Sequence, residues 1–495
     1  MSCQLLADCL NEILEYLEED KTTLHSCLLV NRLWCEISVR ILWRNIWHFK
    51  STASLQSRLD QSDNLSSQIF GTLIACLPTA SKDLLRKNEI LNSILNSKPS
   101  LFNYVLFCKV LPINEIDQMI QDVLESQQQL SARSKSLNYY KYLILQEILK
   151  MFMKQVPSLK ELKYFSTTNI PNVTLTYFPG SVDCLTNLSV LSCSSDIYSE
   201  FFYQLSQICC NIRSMTVKFE GMVSNGLKDL ISSQNGLKDL SLIQSYNSTD
   251  WKDIIPSLTK HSNTLIKLKI NGGENDGPLS FITTYKNLRE LVLLFDYNDA
   301  FEDFEELQFV TFSQLQILKL SIGCPTVEIL IKFFENNGKN LKEFCTCNCD
   351  DELNLAIAKF CPNLRSLFTL FLDDEIETLK TIFNNCQQLE SIKVWCGSEY
   401  LNETDFLEVL ANYSPKNFCE LEIYSIESEI FSGCLEKFFI NWKNRISSRP
   451  LSFVILKDND STKIVNSENM KIIEKYKKLG VIKKFETREY KDDEI

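Results

Sequence analysis

Three histidines, His25, His48 and His261, are the chain's whole supply, and they stand far apart in sequence. None sits in a metal-protease or triad context, and no glycine-rich loop ends in Lys-Ser/Thr to cradle a phosphate. Asn271-Gly272-Gly273 with Gly277 reads as a turn. Cys345, Cys347 and Cys349 alternate as a metal-binding strand would, but no histidine or fourth cysteine is near, so thiols at strand positions are expected. Asp350-Asp351-Glu352 and Asp373-Asp374-Glu375 read as helix starts, where carboxylates complement the backbone dipole. No catalytic residue, metal or cofactor is therefore expected, and the chemistry left to the side chains is recognition.

The elements that position such side chains come from a repeat. Apolar residues at i, i+3 and i+5 start at Leu159, Leu188, Ile212, Leu237, Leu265, Leu288, Leu315, Leu341, Leu364, Leu389 and Phe418, eleven starts spaced 23 to 29 residues apart. Helical runs lie between them, such as Pro325 to Asn337 and Asp374 to Asn384. A unit of one short strand and one returning helix cannot bury its own apolar side, so stacking must supply the core. The segment resembles a leucine-rich-repeat solenoid of the cysteine-containing kind, with Cys361-Pro362-Asn363-Leu364 its clearest piece. The expected fold class is α/β: an N-terminal three-helix unit, then a curved solenoid with a parallel concave sheet and convex helices. Thr346 and Thr369 depart from the pattern, standing where its third apolar residue should be.

Strand side chains alternate, so residues two, four and six after each first Leu face the concave side. Early repeats place Ser192, Ser194, Ser214, Thr216, Lys267 and Lys269 there. Late repeats place Cys345, Cys347, Phe368, Leu370, Trp395 and Tyr424, with Lys393 among them. An exposed aromatic patch beside a cation has the composition of a binding hot spot, and these seven late residues are the candidate substrate-binding set. The alternative is that the C-terminal tail or an irregular register covers them.

In the first fifty residues, Leu10, Ile13, Leu14 and Leu17 fall at i, i+3, i+4 and i+7, with Asp8 able to cap the helix. A second short helix and a third, carrying Trp34, Ile37, Ile41 and Trp43, make a unit too small for a large core, one that needs covering by something else. Leu5-x-x-Asp8, Glu12-Ile13-Leu14-x-Tyr16-Leu17, Leu28-x-Val30-Asn31-Arg32-x-Trp34 and Leu42-Trp43, in that order, resemble an F-box. Leu6 stands where that family usually has Pro, and the turn around Lys21 to Thr23 is longer than common. The resemblance implies docking onto the adaptor of an SCF-type ubiquitin ligase, and through it a cullin, with Leu5, Ile13, Leu14, Leu17, Leu28, Val30 and Trp34 supplying the contacts. Some of these, Trp34 and Leu17 above all, could instead hold the three helices together. An F-box ahead of such repeats is the arrangement of F-box/LRR substrate receptors, in a style closest to fungal members. The non-catalytic alternative is a plain interaction scaffold whose helices cap the solenoid.

Four segments follow: 1–48 as F-box, 49–158 as a helical connector in which Leu101, Tyr104 and Leu106 start a degenerate first repeat, 159–424 as the solenoid, and 425–495 as C-terminal repeats and cap. The cap should hold strands at Leu451 to Leu456 and Val481 to Phe485, with a helix at Ser467 to Lys478 between them. The charge of −12, from 51 Lys+Arg against 63 Asp+Glu with no basic tract, argues against nucleic acid or an anionic membrane as partner. An acidic N-terminal stretch, no long uncharged apolar run, and 19 Cys without CxxC pairs read as an intracellular protein, cytoplasmic or nuclear.

Overall fold

The computed structural model describes residues 7–47, 59–88, 90, 100–126, 134–166, 173–245, 248–272, 277–321, 323–425, 432–445, 449–457 and 467–489. The chain is an α/β leucine-rich-repeat solenoid whose contacts divide into two units, Met1–Leu237 and Lys238–Ile495. In the first, β1 (Val110–Pro112), β2 (Glu161–Tyr164), β3 (Val190–Ser194) and β4 (Ser214–Phe219) pair in parallel in chain order. In the second, β5 (Asp239–Gln244), β6 (Lys267–Asn271), β7 (Glu290–Leu294), β8 (Ile317–Leu320), β9 (Glu343–Cys345), β10 (Ser366–Phe368), β11 (Ser391–Cys396), β12 (Glu420–Ser425), β13 (Leu451–Lys457) and β14 (Ile482–Glu489) do the same.

Strands β2 to β12 each begin two residues after one of the eleven repeat starts. The second apolar residue of each repeat stacks on its counterparts: Leu240, Leu268, Leu291, Leu318, Phe344, Leu367, Ile392 and Leu421 lie in register across eight strands, each at most 2% exposed. Each such side chain contributes about 1.5–3 kcal/mol by leaving water, realised only when the next repeat covers it.

The returning segments follow their own spacing. Val327–Asn337 and Ile376–Asn385 are α-helices. Asn298–Phe309 is instead a 3-10 helix, because its inward residues Phe301, Phe304 and Leu307 recur every third position, the period of that tighter helix. Three or four residues before the first Leu, a buried polar side chain ties four of the repeats to the one before. Cys209 Sγ donates to Leu185 O, Gln234 Nε2 to Cys209 O, Asn337 Nδ2 to Val310 O and Cys386 Sγ to Cys361 O. Burial pushes the Cys209 and Cys386 thiols up to about 12, so they stay protonated and serve as donors.

The degenerate first repeat is misplaced by the sequence reading. Leu101 and Leu106 are 81% and 43% exposed, and Tyr104–Phe107 is a 3-10 turn. The first strand is β1, whose i, i+3 and i+5 residues are the buried Cys108, Leu111 and Ile113, with Leu111 in register with Leu162. Cys108 and Ile113 fill leucine positions, so the motif does not read as leucine. The connector is helical, with Leu59–Cys76, Thr79–Lys87, Ile113–Ser126 and Ser134–Gln155.

Candidate functional site

The three-helix unit consists of α1 (Ala7–Glu15), α2 (Lys21–Cys27) and α3 (Arg32–Leu42). Asp20 caps α2, accepting from Thr23 N at 2.9 Å, and Asn31 caps α3, accepting from Trp34 N at 3.0 Å. Asp8 stands in the first turn of α1. Leu10, Leu14, Leu24, Cys27, Ile37, Ile41 and Leu42 form the core, with Leu17, Leu28, Leu33, Trp34 and Trp43 half-buried against it.

The seven side chains expected to meet an adaptor separate accordingly. Ile13 and Val30 stand in solvent at 49% and 57% exposure, alongside Tyr16 and Leu29, which the sequence reading did not single out. Leu17, Leu28 and Trp34 lie at the edge of the core, each with part of its surface accessible. Leu14 is 1% exposed, so it holds the helices together and does not reach a partner. Leu5 lies outside the described residues.

The same unit is also stitched to the first strand. Trp47 Nε1 donates to Val110 O at 2.9 Å, Lys109 N donates to Arg44 O at 2.9 Å, and the Trp43 and Tyr104 rings meet at 4.6 Å. Arg44 grips Glu15 with two bonds of 2.5 and 2.6 Å, with Glu18 at 3.6 Å. That pairing holds the Glu15 carboxyl below its ordinary range. The helices thus cover the start of the sheet while leaving part of their apolar surface open.

The late repeats carry the second surface. On the face of β8 to β12 away from the helices, Lys319, Glu343, Cys345, Phe368, Lys393 and Glu422 are among the residues around a cavity of about 190 Å³. Lys319 pairs with Glu343 at 2.6 Å, and Lys393 Nζ lies 4.6 Å from the Phe368 ring centre. Further along the strands, the Trp395 ring meets Tyr424 at 5.1 Å and, edge to face, Tyr400 at 5.5 Å.

The exposed aromatic patch is narrower than the sequence suggests. Cys345, Phe368 and Leu370 are buried, at 6%, 4% and 4%, while Cys347, Lys393, Trp395 and Tyr424 are half-buried. An irregular loop is the reason: Gly397 and Ser398 adopt φ of 88° and 54°, Leu372 bridges Tyr400 in antiparallel sense, and Asp373 N donates to Glu399 O at 3.1 Å. This brings Tyr400 into the cluster containing Leu370 and Phe368. Tyr400 and the carboxylates Glu343, Glu420 and Glu422 are the residues the sequence reading missed. The carboxylates were findable, since they occupy positions two and four of repeats already in register.

The departures at Thr346 and Thr369 are polar joints. Thr369 Oγ1 donates to Asn354 Oδ1 at 2.9 Å, and Asn354 Nδ2 donates to Leu370 O at 2.9 Å and Glu375 Oε2 at 3.0 Å. Thr346 Oγ1 accepts from Asn348 N at 3.1 Å. Burial pushes the Cys345 thiol up to about 12 and the Cys349 thiol up to about 11, so neither offers a thiolate near neutral pH. Among the described residues no group of three His, Cys, Asp or Glu could hold a metal ion, and no helix is long and apolar enough to cross a membrane.

No family model and no curated protein matches the sequence. Among solved structures, the chain is similar to one described as the Rad7 and Elc1 complex in yeast, at 13% identity and TM-score 0.39, covering 74% of this chain and 85% of that one. It is similar to a leucine-rich-repeat protein of Leptospira interrogans, at 13% identity and TM-score 0.32, covering 59% and 66%. It is also similar to the leucine-rich-repeat-containing protein LegL7 of Legionella pneumophila, at 14% identity and TM-score 0.33, covering 61% and 96%.

Proposed function

We propose that this chain is the substrate-recognition subunit of an SCF-type ubiquitin ligase. The three-helix unit docks the adaptor and through it a cullin, and the open face of the late repeats holds a protein substrate. Catalysis then comes from a ubiquitin-loaded partner brought close, with no nucleophile needed here. The observation that supports the reading is the division of labour in the helical unit: Trp47 and Arg44 fasten it to β1, while Ile13, Tyr16, Leu29 and Val30 stand in water. A unit serving only as a cap has no use for those four exposed apolar side chains.

In this reading Ile13 and Val30 make adaptor contacts, flanked by Leu17, Leu28 and Trp34, with Leu14 as support. Cys347, Lys393, Trp395 and Tyr424 meet the substrate, and Cys345, Phe368 and Leu370 form the floor beneath. The chain would work where ubiquitin ligases work, in the cytoplasm or nucleus. The scaffold reading keeps one observation of its own, the hydrogen bonds from Trp47 and Lys109 that make the helices a cap.

The deciding experiment is a quantitative pull-down with purified adaptor, comparing the native chain with Ile13→Asp plus Val30→Asp. Both positions are exposed, so folding should persist by circular dichroism. Binding by the native chain and its loss in the variant is expected. No binding by either leaves the scaffold.

A further inference from the structure

At the edge where the strands begin, a second groove of about 360 Å³ opens in the Lys238–Ile495 unit, and its lining contains no carboxylate. Three cations line it, Lys339, Lys342 and Arg365, and every other lining residue is an amide or a serine, among them Gln316, Asn340 and Asn363. Two cations elsewhere in this unit reach across to an acid on the neighbouring strand: Lys267 to Glu290 at 2.8 Å and Lys319 to Glu343 at 2.6 Å. Among the described residues none of the three groove cations has an ion-pair partner. Lys342 Nζ donates only to the neutral Gln316 Oε1, at 2.9 Å.

The folded chain does not need these charges. Lys342 and Arg365 occupy the residue just before β9 and β10, and their backbone carbonyls carry the ladder: Arg365 N and Ser366 N donate to Lys342 O, and Glu390 N and Ser391 N to Arg365 O. Their side chains are exposed. Lys339 follows the helix Val327–Asn337, where a cation complements the helix dipole. That effect fades within the last turn and does not extend to Lys342 or Arg365. The same position is cationic and exposed at Lys238 and Arg289, just before β5 and β7, neutral at Ile266 and Gln316, and acidic at Glu390 before β11, which bounds the cationic stretch.

We propose that this groove is an oxyanion-binding site that takes an acidic segment of a protein partner, its side chains carboxylates or phosphates. A guanidinium flanked by two ammonium groups and several amide donors matches either oxyanion. Adjacent strands lie about 4.8 Å apart and an extended peptide advances about 3.3 Å per residue, so acidic side chains on alternate residues fall within reach of Lys342 and Arg365 together. The groove borders the open-face cavity, because Lys342 precedes Glu343 and Arg365 precedes Ser366, and those next residues line that cavity. A segment leaving the open face passes over these cations. In that respect the inference rests on the open face being the substrate seat. A single nucleic-acid strand fits less well: the groove has no aromatic lining for bases to stack on, and the chain carries −12 overall.

The test uses the full chain and four fluorescein-labelled probes read by anisotropy: a nonapeptide alternating Asp and Ser, its Asn-Ser counterpart, its Asn-phosphoserine counterpart, and a single-stranded oligonucleotide. The triple variant Lys339→Gln, Lys342→Gln, Arg365→Gln is compared with a charge-matched control, Lys471→Gln, Lys477→Gln, Lys478→Gln. Expected is binding of the Asp or phosphoserine peptide, weakened by salt, with affinity falling about tenfold or more in the groove variant and unchanged in the control. Which anionic peptide binds better identifies the oxyanion. Equal binding by both variants, no anionic peptide binding, or tighter oligonucleotide binding through the same three residues overturns the proposal. Trp395→Ala supplies the separation: anionic-peptide binding unchanged in this variant leaves the groove standing whether or not the open face is a substrate seat, whereas binding lost in this variant and kept in the groove variant assigns the peptides to the open face and overturns the proposal.

Discussion

Two polar grooves in this molecule each gather lysines around one arginine and are wired oppositely. The first, of about 540 Å³, lies where the helical unit meets the first strands, and Lys21, Arg44, Lys109 and Lys160 share it with Glu15, Glu18, Glu19 and Glu161. Its central charges are engaged within the protein: Arg44 holds Glu15 by two bonds, Lys163 meets Glu161 at 3.1 Å, and Lys109 Nζ donates to Ser158 O at 2.9 Å. Burial and the neighbouring Lys160 and Arg44 lower the Lys109 pKa. The second groove, around Lys339, Lys342 and Arg365, has cations and no acids. Where a protein completes its own ion pairs, the groove is a joint between elements. Where it leaves one sign unanswered, the groove is open to a partner. Mutation should therefore cost stability at the first groove and binding at the second.

The largest effect should come from the joint. Trp47 is 4% exposed and its Nε1 donates to Val110 O, so Trp47→Ala removes a buried ring and leaves a β1 carbonyl without its donor. A loss of about 3–5 kcal/mol is expected in urea unfolding followed by a probe in the first unit. A loss below about 1 kcal/mol, the size of a surface contact, would mean that the helices do not cover the sheet edge and the contrast fails. Next comes Asn354→Leu in the late repeats. Asn354 is fully buried and bonds Thr369, Leu370 O and Glu375 at once, so its removal strands a carbonyl and a hydroxyl, leaves Glu375 with only its Leu372 N bond, and should cost about 2–3 kcal/mol in the second unit. Comparable loss in the first unit would show the two to be one cooperative block.

Legibility followed the same division. Repeating structure was readable because stacking forces one side-chain type to recur at one position, which is why Leu240 through Leu421 appear in sequence as they do in register. The first strand was hidden because Cys108 and Ile113 satisfy the packing without being leucine. The candidate surface was half legible. Alternation along β9 to β11 identified Cys345, Phe368, Lys393 and Trp395 as one face, but nothing in the period announces that Gly397 and Ser398 turn a loop back and bring Tyr400 against them. The strand-start groove escaped because its cations lie just outside the strands, at a position a face-by-face reading does not visit.

Acid should separate the two units. Glu15 ionises more readily in the folded chain than its ordinary 4.5, chiefly through its hydrogen bonds to Arg44. Its stabilisation is complete above that value and is lost as pH falls through the lower folded pKa. Glu375 has the opposite sign, since burial raises its pKa above 4.5 despite the Asn354 bond. Its contribution is complete where it is protonated, below 4.5, and is lost as pH rises through the raised folded value. Amide exchange below pH 4.5 should therefore show α1 and β1 losing protection while the segment around Asn354 and Glu375 holds or gains. Arg44→Gln should remove the first dependence, at a cost of about 0.5–1 kcal/mol at neutral pH because the pair is partly solvated. If the segments lose protection together, Glu15 and Glu375 do not govern them.

The smallest expected effect sharpens the comparison most. Replacing Lys339, Lys342 and Arg365 by Gln removes three charges with no ion-pair partner among the described residues, two of them beside carbonyls already bound in the sheet, so stability should change by no more than about 0.5 kcal/mol. A modest gain is the natural direction, since Lys342 and Arg365 lie side by side just before adjacent strands and like charges there repel. Loss above about 1 kcal/mol would show that the cations are structural after all and that the second groove is a joint like the first. An unchanged melt combined with lost anion binding is the result that only an open groove gives, because a joint cannot lose its charges and keep its stability.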